Sequence, residues 1–594
     1  MRNSKKNTKS IIKEEPFLFK YGYIILGAFT LLLYLQTINF GFTGFDDSSI
    51  IPPNREMLSS VSNIGKIFLD DAFFRNGEQS FYRPLQNITL MIDTIIAGDA
   101  LWMYHFTNLV LHIISVIIFY FLLIEIGVSK KTSLGMGTVF SALPALAHAV
   151  AWIPGRGDIL LAIFSMLFII YLSKFLNSNQ TKYLIYNSLF LALALLSKES
   201  GLFLSIIALL FVAIFHKENL NFKSAIIPAS IYSSMSVLYL ILRNLVIGDM
   251  SSKTKFGIEY LISNLAYIPE TIGKLFIPIS LNPMPSYELI NIVTGFILIT
   301  MIIYFGISKT ESRKYLLFGF LWFLLFSIPG MMYEHEFGTY AYQYLEHRAY
   351  LPAVGILIIL PFIFRGYNLR ENTIFAGILL VSIVFFILTL LNSQYYKNEL
   401  VFYERAIEKS PETAALAYLN RGLIKARSGN PKAGIEDFNT AASIFPEYPD
   451  AYNNRGLAKT QLKDKRGVME DYNKAISLDS NRAVFFYNRA IFKSSENDIY
   501  GALDDYKKAI AITPTYKQAY KNINYEYTRL REFDSCIHYT SLAILQINDN
   551  RDFYYTRGLS KLSNGDTADA CEDFQISYGQ GLASAGEQIR KHCK

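Results

Sequence analysis

Long apolar stretches recur along the first two thirds of the chain and constrain its fold more than any other feature. A helix needs about 20 apolar residues to cross the hydrocarbon core of a bilayer, and eleven stretches reach or approach that length. After residue 395, charged and amide residues return at the density of a soluble domain. The sequence therefore predicts an all-α fold, with a polytopic membrane domain over 1–395 and soluble helices behind it. The predicted spans are 21–40, 104–126, 132–151, 158–176, 182–197, 200–216, 224–246, 286–306, 315–332, 349–364 and 373–391.

Basic residues predict how these spans are oriented. If residue 1 faces the cytoplasm, every cytoplasmic segment has at least two Lys or Arg residues in it or beside it, such as Lys130 and Lys131 or Arg313 and Lys314. An odd number of spans then places the C-terminal domain on the non-cytoplasmic side. The first span follows a lysine-rich segment and has no small-residue cleavage site, so we expect a signal anchor.

Composition adds a location. Frequent Lys, Asn, Ile and Tyr and short loops are typical of a bacterial chain. We therefore expect a multi-pass protein of the bacterial inner membrane, with the N-terminus in the cytoplasm and the C-terminal domain in the periplasm. The net charge of +7 follows the asymmetry of the loops and gives no reason to expect a nucleic-acid partner.

A period of 34 residues organises the soluble third. Glycine or alanine recurs at this step at Gly422, Gly456, Ala490 and Gly558, with Asn524 as the exception. Small residues let paired helices approach closely, and each pair buries its apolar face by stacking on the next. The aromatic positions in the same register are Tyr418, Tyr452, Phe486, Tyr520 and Tyr554.

This pattern resembles tetratricopeptide repeats. It predicts a connecting helix over 396–414, five repeats over 415–582 and a capping segment over 583–594. Such arrays commonly bind an extended peptide or another protein in a concave groove. The alternative is a passive spacer or an oligomerisation surface.

All three cysteines, Cys536, Cys571 and Cys593, lie in the soluble third. Their spacing matches no metal motif, and three cysteines cannot all pair within one chain. From the sequence we expect no disulfide framework.

Ionisable and aromatic residues collect in the segments predicted to lie outside. Lys198 and Glu199 lie between two apolar runs, where ionisable groups are costly and are usually functional or paired with one another. The ionisable and aromatic residues of these segments occur in ordered motifs, which are Phe45-Asp46-Asp47, Tyr82-Arg83-Pro84-Leu85, Tyr104-His105-Phe106-Thr107-Asn108 with His112, Gly155-Arg156-Gly157-Asp158, Lys198-Glu199-Ser200-Gly201 and Glu346-His347-Arg348-Ala349-Tyr350-Leu351-Pro352.

This ordered set, followed by the repeats, resembles the GT-C fold glycosyltransferases that use polyprenyl-phosphate-linked sugars. Within that superfamily it is most similar to the transmembrane and tetratricopeptide-repeat O-mannosyltransferases and their bacterial relatives. The resemblance implies transfer of a sugar, with mannose suggested, from a polyprenyl-phosphate donor to a hydroxyl acceptor, expected to be protein, on the non-cytoplasmic face. The sugar, the acceptor and any need for a divalent cation stay open.

The resemblance also implies a general base in the first outside loop, which is Asp46 or Asp47. A carboxylate suits this task because it takes the acceptor proton while the phosphate leaves without a strong acid. The sequence does not separate the two residues. Asp47 followed by Ser48 and Ser49 would also serve as ordinary helix-capping chemistry.

The departing lipid phosphate needs cations, and the candidates are Arg83, Arg156, Lys198 and Arg348. Arg348 is the first choice because it begins a span within an aromatic segment. Each candidate has a simpler alternative. Arg83 and Arg348 would serve as interfacial anchors, Arg156 would brace a turn together with Asp158, and Lys198 would take part with Glu199 in an internal ion pair that braces two spans.

The remaining candidates are aromatic or imidazole side chains. His105 and His112 lie seven residues apart, near one helix face, where they are metal ligands or, as we favour, core histidines. Tyr344 and His347 belong to an aromatic segment that would stack on a sugar, cover a lipid head group or form an interfacial belt.

Two rival functions remain. One is a non-catalytic membrane scaffold whose repeats recruit protein partners, although eleven spans exceed what an anchor needs. The other is a transporter, polymerase or ligase of the same envelope pathway. Transporters place their key ionisable groups near mid-membrane, whereas these motifs are predicted at one face.

Overall fold

The computed structural model of the protein describes residues 20–74, 81–217, 225–247, 257–284, 287–332, 346–367 and 369–593. Within these ranges every regular element is a helix, as the apolar stretches and the repeat period predict. The chain divides into two units, Met1–Ala414 and Ala415–Lys594. The helices of the first unit are α1 (Gly22–Tyr34), α2 (Asp46–Ile50), α3 (Arg55–Leu58), α4 (Ile64–Ile67), α5 (Pro84–Ala97), α6 (Trp102–Glu125), α7 (Lys130–Ala142), α8 (Ala147–Ala151), α9 (Arg156–Ser178), α10 (Thr181–Ser197), α11 (Phe203–Phe215), α12 (Ile227–Ile247), α13 (Ile258–Ser263), α14 (Tyr267–Phe276), α15 (Leu289–Ile307), α16 (Thr310–Met331), α17 (Tyr350–Gly366), α18 (Glu371–Ser393) and α19 (Glu399–Lys409).

In the described part of the chain, eight helical segments are long and apolar enough to cross a membrane. The helix pair Lys130–Ala142 and Pro144–Ala151, which bends by 52°, forms either a broken ninth span or a re-entrant loop. Proline lacks the N–H that would continue the helical ladder, so Pro144 accounts for this break. The two remaining predicted spans correspond to the shorter apolar helices Thr181–Ser197 and Glu199–Phe215. The chain is a multi-pass membrane protein.

Two helical segments form the centre of the membrane unit. The apolar window of Ile153–Ser178 is 78% buried and that of Glu346–Arg365 is 83% buried, whereas that of Leu289–Ile307 is only 22% buried. The peripheral helices therefore present apolar side chains outward, as expected for helices that contact lipid. The central helices α9 and α17 contact each other along the unit's main apolar core.

The second unit is a helical solenoid of five tetratricopeptide-type repeats and a final helix. Small residues sit where the two helices of a repeat touch; a side chain at Gly422 or Gly558 would meet the ring of Phe438 or Phe574 at 2.7 Å. The helices are α20 (Ala415–Arg427), α21 (Pro431–Ile444), α22 (Pro449–Gln461), α23 (Lys465–Leu478), α24 (Ala483–Ser495), α25 (Ile499–Ile512), α26 (Lys517–Leu530), α27 (Phe533–Gln546), α28 (Arg551–Ser563), α29 (Thr567–Gly579) and α30 (Ala583–His592).

A recurring ion triad fastens four of the repeats. In the second repeat, Asp471 accepts from Arg455 Nε at 3.0 Å and lies 2.8 Å from Lys459 Nζ. The fourth repeat instead has Ile523, Tyr527 and Tyr539 at these positions, and the two tyrosine rings stack at 5.6 Å. The equivalent triads are Arg421, Lys425 and Asp437; Arg489, Lys493 and Asp505; and Arg557, Lys561 and Asp573.

The cysteines correct one expectation. Cys571 and Cys593 form a disulfide between Cα atoms 5.6 Å apart, so the prediction of no disulfide was wrong. Helices α29 and α30 fold back on each other and bring together two residues separated by 22 positions, which cysteine spacing alone did not reveal. Cys536 is a buried free thiol.

Candidate functional site

The acidic pair after the first span divides into two different environments. Asp47 is fully buried, and its Oδ2 accepts from the backbone N (2.7 Å) and the hydroxyl (3.0 Å) of Thr43. Its Oδ1 accepts from Ser48 N at 2.8 Å. Burial raises the pKa of Asp47 to about 6, against the opposing effect of the bonds from Thr43 and Ser48. Asp46 begins α2 and is half-exposed.

A chain of aromatic contacts connects this loop with the starts of the two central helices α9 and α17. The ring of Phe45 lies 6.1 Å from that of Trp152, and Trp152 lies 4.8 Å from the ring of His347. His347 Nε2 is in turn 3.8 Å from Asp158 Oδ2. Helix α2 also contacts the single turn Ile153–Gly155 that leads into α9. The loop with Asp46 and Asp47 therefore packs against Trp152 and the turn Ile153–Gly155, and Trp152 in turn contacts His347.

Beside these segments lies an open cleft with a charged lining. Five of the predicted site residues line it, and they come from four separate parts of the sequence. Its apolar wall includes Phe326 and Pro329 of α16 and Leu351 and Pro352 of α17. The charged residues are Arg83, Asp158, Lys198, Glu199 and Arg348.

Within the cleft, adjacent charges in the sequence have separate partners. Lys198 donates to Asp158 Oδ1 at 2.6 Å. Glu199 accepts from Arg83 Nε at 3.2 Å and from Tyr82 N at 2.9 Å. The pair of Lys198 and Asp158 ties the start of α9 to the link between α10 and α11. The pair of Arg83 and Glu199 ties the segment before α5 to the same link. The cations are held in place by the protein while their side chains still line open space.

The surroundings of Lys198, which lies outside the spans, change the pKa of its side chain. Burial lowers its pKa to about 8, Asp158 acts against this effect, and the nearby guanidinium groups of Arg83 and Arg348 reinforce it. Asp158 therefore stabilises the charged form of a lysine that has two cationic neighbours. A bound anion would favour the charged form further.

The other predicted site residues that the structure describes do not line this cleft; they are Asp46, Asp47, His105, His112, Arg156 and His347. Arg156 is fully buried and donates to Asp93 Oδ2 (2.6 Å), Asn108 Oδ1 (3.0 Å) and the carbonyl of Tyr104 (2.8 Å). It does not pair with Asp158, the partner that a braced turn would require; it ties the start of α9 to α5 and α6. His105 is buried with its ring edge-on to Phe40 at 6.1 Å.

The surroundings of His112 bear on whether this residue binds a metal ion. His112 Nδ1 lies 2.6 Å from the hydroxyl of Tyr350, and its ring is buried among aromatic side chains. Across the described ranges, no group of three His, Cys, Asp or Glu side chains is placed to hold a metal ion. Tyr344 lies outside the described residues.

A buried charged cluster behind the cleft was missed from the sequence. Lys274 Nζ lies 3.0 Å from Glu270 Oε1 and 3.8 Å from Glu346 Oε1. All three side chains are at most 5% exposed. Glu270 and Lys274 are four apart on α14, a spacing that predicts an ion pair on one helix face. That spacing, inside a segment with apolar flanks, is the signal that would have found them.

Comparisons with known proteins find relatives of the chain and a family match within its repeat unit. The tetratricopeptide repeat family matches residues 449–482. Protein O-mannosyl-transferase F38B6.6 of Caenorhabditis elegans is 24% identical over 457 residues, which cover 72% of this chain and 63% of that protein. Protein O-mannosyl-transferase TMTC2 of Homo sapiens is 31% identical over 149 residues, which cover 24% of this chain and 18% of that protein. The chain thus spans less than two thirds of the relatives' own length.

Two solved structures are similar to about a third of the chain. One is titled "Crystal structure of YrrB: a TPR protein with an unusual peptide-binding site", with a TM-score of 0.27, 14% identity and coverage of 32% of this chain and 97% of that one. Another is PilW, titled a widely conserved type IV pilus biogenesis factor, with a TM-score of 0.28, 18% identity and coverage of 32% and 89%. From the curated relatives and the repeat match, the chain is a multi-pass membrane relative of the protein O-mannosyl-transferases that carries tetratricopeptide repeats.

Proposed function

We propose that this protein is a glycosyltransferase that moves a sugar from a polyprenyl-phosphate donor to a hydroxyl group, on a protein acceptor, at the non-cytoplasmic membrane face. The observation that carries the proposal is the cleft in which Arg83, Lys198 and Arg348 converge beside the starts of α9 and α17. Mannose is the sugar suggested by the names of the relatives.

The charge of the cleft fits a lipid phosphate. Three cations face two carboxylates, and the first turns of α9 and α17 add the partial positive charge of helix N-termini. In the donor the phosphate is a diester with one negative charge. When the sugar leaves, the bonding pair stays on the phosphate oxygen and a second charge develops there. Cations fixed in advance stabilise that charge more in the transition state than in the bound donor.

Asp46 is the better candidate for the general base. The carboxylate of Asp47 is buried and accepts three hydrogen bonds, so its task is to hold the loop. Asp46 precedes it and is partly exposed, and its helix α2 contacts the turn Ile153–Gly155 that leads to Asp158. Asp46 takes the proton from the acceptor hydroxyl while the hydroxyl oxygen bonds to the anomeric carbon and the carbon–phosphate oxygen bond breaks.

The location and the repeats complete the proposal. The basic loops predict that the ends of the spans carrying Asp46, Asp158 and Arg348 face the non-cytoplasmic side, which in a bacterial cell is the periplasm. The repeat unit would bind the protein acceptor, because stacked helix pairs offer an extended surface for peptides.

The test separates chemistry from binding. Full-length protein in nanodiscs is given radiolabelled polyprenyl-phosphate mannose and a periplasmic protein extract, and label transferred to protein is measured. We expect Asp46→Asn to lower transfer by at least about 100-fold, the usual size of a lost general base, with lipid-phosphate affinity unchanged. Asp47→Asn should lower the thermal stability as well, because one carboxylate oxygen would become an NH₂ that faces the backbone N–H of Thr43 or of Ser48.

Arg348→Ala gives the complementary result. It should weaken the binding of radiolabelled polyprenyl phosphate, which needs neither the sugar nor the acceptor. Unchanged lipid-phosphate affinity in Arg348→Ala would contradict the proposal. Full transfer in the Asp46→Asn/Asp47→Asn double variant would also contradict it and favour the scaffold.

A further inference from the structure

The turn that carries Arg348 has little stability of its own. Residues Glu346–Ala349 form a single 3₁₀ turn at the start of α17. Such a turn has poor internal hydrogen-bond geometry and is rarely long, so its position depends on what its side chains contact. His347 packs on Trp152 and His148 at 4.8 Å and faces Asp158. Glu346 is buried and does not line the cleft.

Glu346 is anchored by two independent groups. Its Oε1 accepts from the backbone N of Asn282 at 3.0 Å and lies 3.8 Å from Lys274 Nζ. The Asn282 side chain donates to Ser410 Oγ at 2.8 Å, which fixes the segment after α14 in turn. Both side chains are 5% exposed, so solvent screens this ion pair less than a pair at the surface.

Lys274 is itself held rigidly. Its ammonium lies 3.0 Å from Glu270, and the two carboxylates raise its pKa although burial opposes the charged form. Helix α14 packs backbone to backbone against the membrane helix α15: a side chain on Gly295 would lie 1.6 Å from the carbonyl oxygen of Pro269. The ammonium therefore has a fixed place relative to a spanning helix.

We propose that Lys274 is a positioning residue which, together with Glu270, holds Glu346 and thereby fixes the turn that presents Arg348 to the lipid phosphate in the cleft. The proposal rests on the proposed function, because it assigns a task to a cluster beside that same site. Lys274 touches neither donor nor acceptor; it acts through Glu346 and the backbone of the turn.

The experiment measures the affinity of the purified full-length protein in nanodiscs for a radiolabelled polyprenyl phosphate. Arg348→Ala should weaken binding by at least about tenfold, the value of one lost charge-assisted bond. Lys274→Met should also weaken it by about tenfold. Lys274→Arg should recover affinity to within about threefold, because a guanidinium can still bridge both carboxylates.

A double-mutant cycle distinguishes positioning from general damage. If Lys274 acts through Arg348, the Lys274→Met/Arg348→Ala variant should bind within about twofold of Arg348→Ala alone. Two losses that multiply would overturn the proposal, since Lys274 would then act independently of Arg348. If Lys274→Met does not give folded protein, Glu346→Gln replaces it in the same cycle with the same expectation, because the amide keeps the bond from Asn282 and loses the charge.

Lys459→Met is the matched control. It removes another lysine that bridges a buried carboxylate, Asp471, in the repeat unit. Its lipid-phosphate affinity should equal that of the unaltered protein. Normal affinity in Lys274→Met with reduced affinity in Arg348→Ala would overturn this inference alone, whereas normal affinity in Arg348→Ala would overturn the proposed function.

Discussion

Lys198 lies at the wall of the cleft between Asp158 and the guanidinium groups of Arg83 and Arg348. Burial lowers its pKa to about 8, so the free protein loses this cation just above neutral pH. The other cations of the cleft are arginines, which stay charged at any pH in the working range. The pH dependence of lipid-phosphate binding should therefore come from Lys198.

The affinity for a polyprenyl-phosphate sugar should fall as the pH rises through 8. The folded pKa lies below the ordinary value of 10.5, so the charged fraction is nearly complete at pH 7 and about a tenth at pH 9. If the charged form alone binds the phosphate, affinity should drop by about tenfold between these pH values. The sugar-linked donor is the right probe, because its phosphate diester does not titrate in this range.

Two replacements of the same lysine check the assignment. Lys198→Arg should give affinity that is flat up to pH 9, since a guanidinium keeps its charge. Lys198→Met should bind weakly at every pH. A fall in affinity that persists unchanged in Lys198→Arg would show that another group titrates.

The sequence could predict which residue types meet at the site but not their pairing. Five of the residues singled out there do line one cleft. Arg156 does not, because its partner Asp93 lies 63 positions away on another helix, and neighbours in sequence gave no indication of it. The same limit applied to Asp46 and Asp47, whose burial differs although their sequence context is nearly identical.

At the scale of elements, periodicity was a reliable guide where each helix repeats the same packing. The 34-residue step predicted the solenoid, and its irregular position, Asn524, marks the fourth repeat. Hydropathy was less informative about breaks: the stretch 132–151 is apolar throughout, but Pro144 divides it into two helices. The cluster around Lys274 escaped notice because Glu346 lies 72 positions away from that lysine, in another element.

Asn524 should weaken the fourth repeat. Its side-chain amide is buried between α26 and α27, and among the described residues neither its oxygen nor its nitrogen has a hydrogen-bond partner. An unsatisfied buried amide costs about 1–3 kcal/mol. Asn524→Ala should therefore stabilise this repeat by about 1 kcal/mol after the loss of packing is counted, and hydrogen exchange in the full-length protein should show slower exchange of the α26 and α27 amides.

A neighbouring asparagine on the same helix provides the control with the opposite sign. Asn522 Nδ2 donates to the hydroxyl of Tyr487 at 3.2 Å. Asn522→Ala should lose that bond and destabilise the repeat by about 0.5–1.5 kcal/mol. Faster exchange in Asn524→Ala would contradict the prediction and indicate that the amide has a structural task.

For the whole molecule, two unrelated features point to the same compartment. The basic loops predict a non-cytoplasmic C-terminal unit, and that unit contains the disulfide between Cys571 and Cys593. Disulfides persist in oxidising compartments such as the periplasm and are rare in the cytosol. By closing a loop of 22 residues, this one should contribute about 3 kcal/mol to the stability of the last repeat and α30.

Thiol counting in cells tests this placement directly. Cells are quenched in acid, denatured and treated with a mass-tagged maleimide, with or without prior reduction. We expect one tag without reduction, on Cys536, and three after it, because the other two cysteines are paired. Cys571→Ser should give two tags in both samples, since it frees Cys593. Three tags without reduction in the unaltered protein would mean that the repeats face a reducing compartment, and the orientation predicted from the basic loops would have to be reversed.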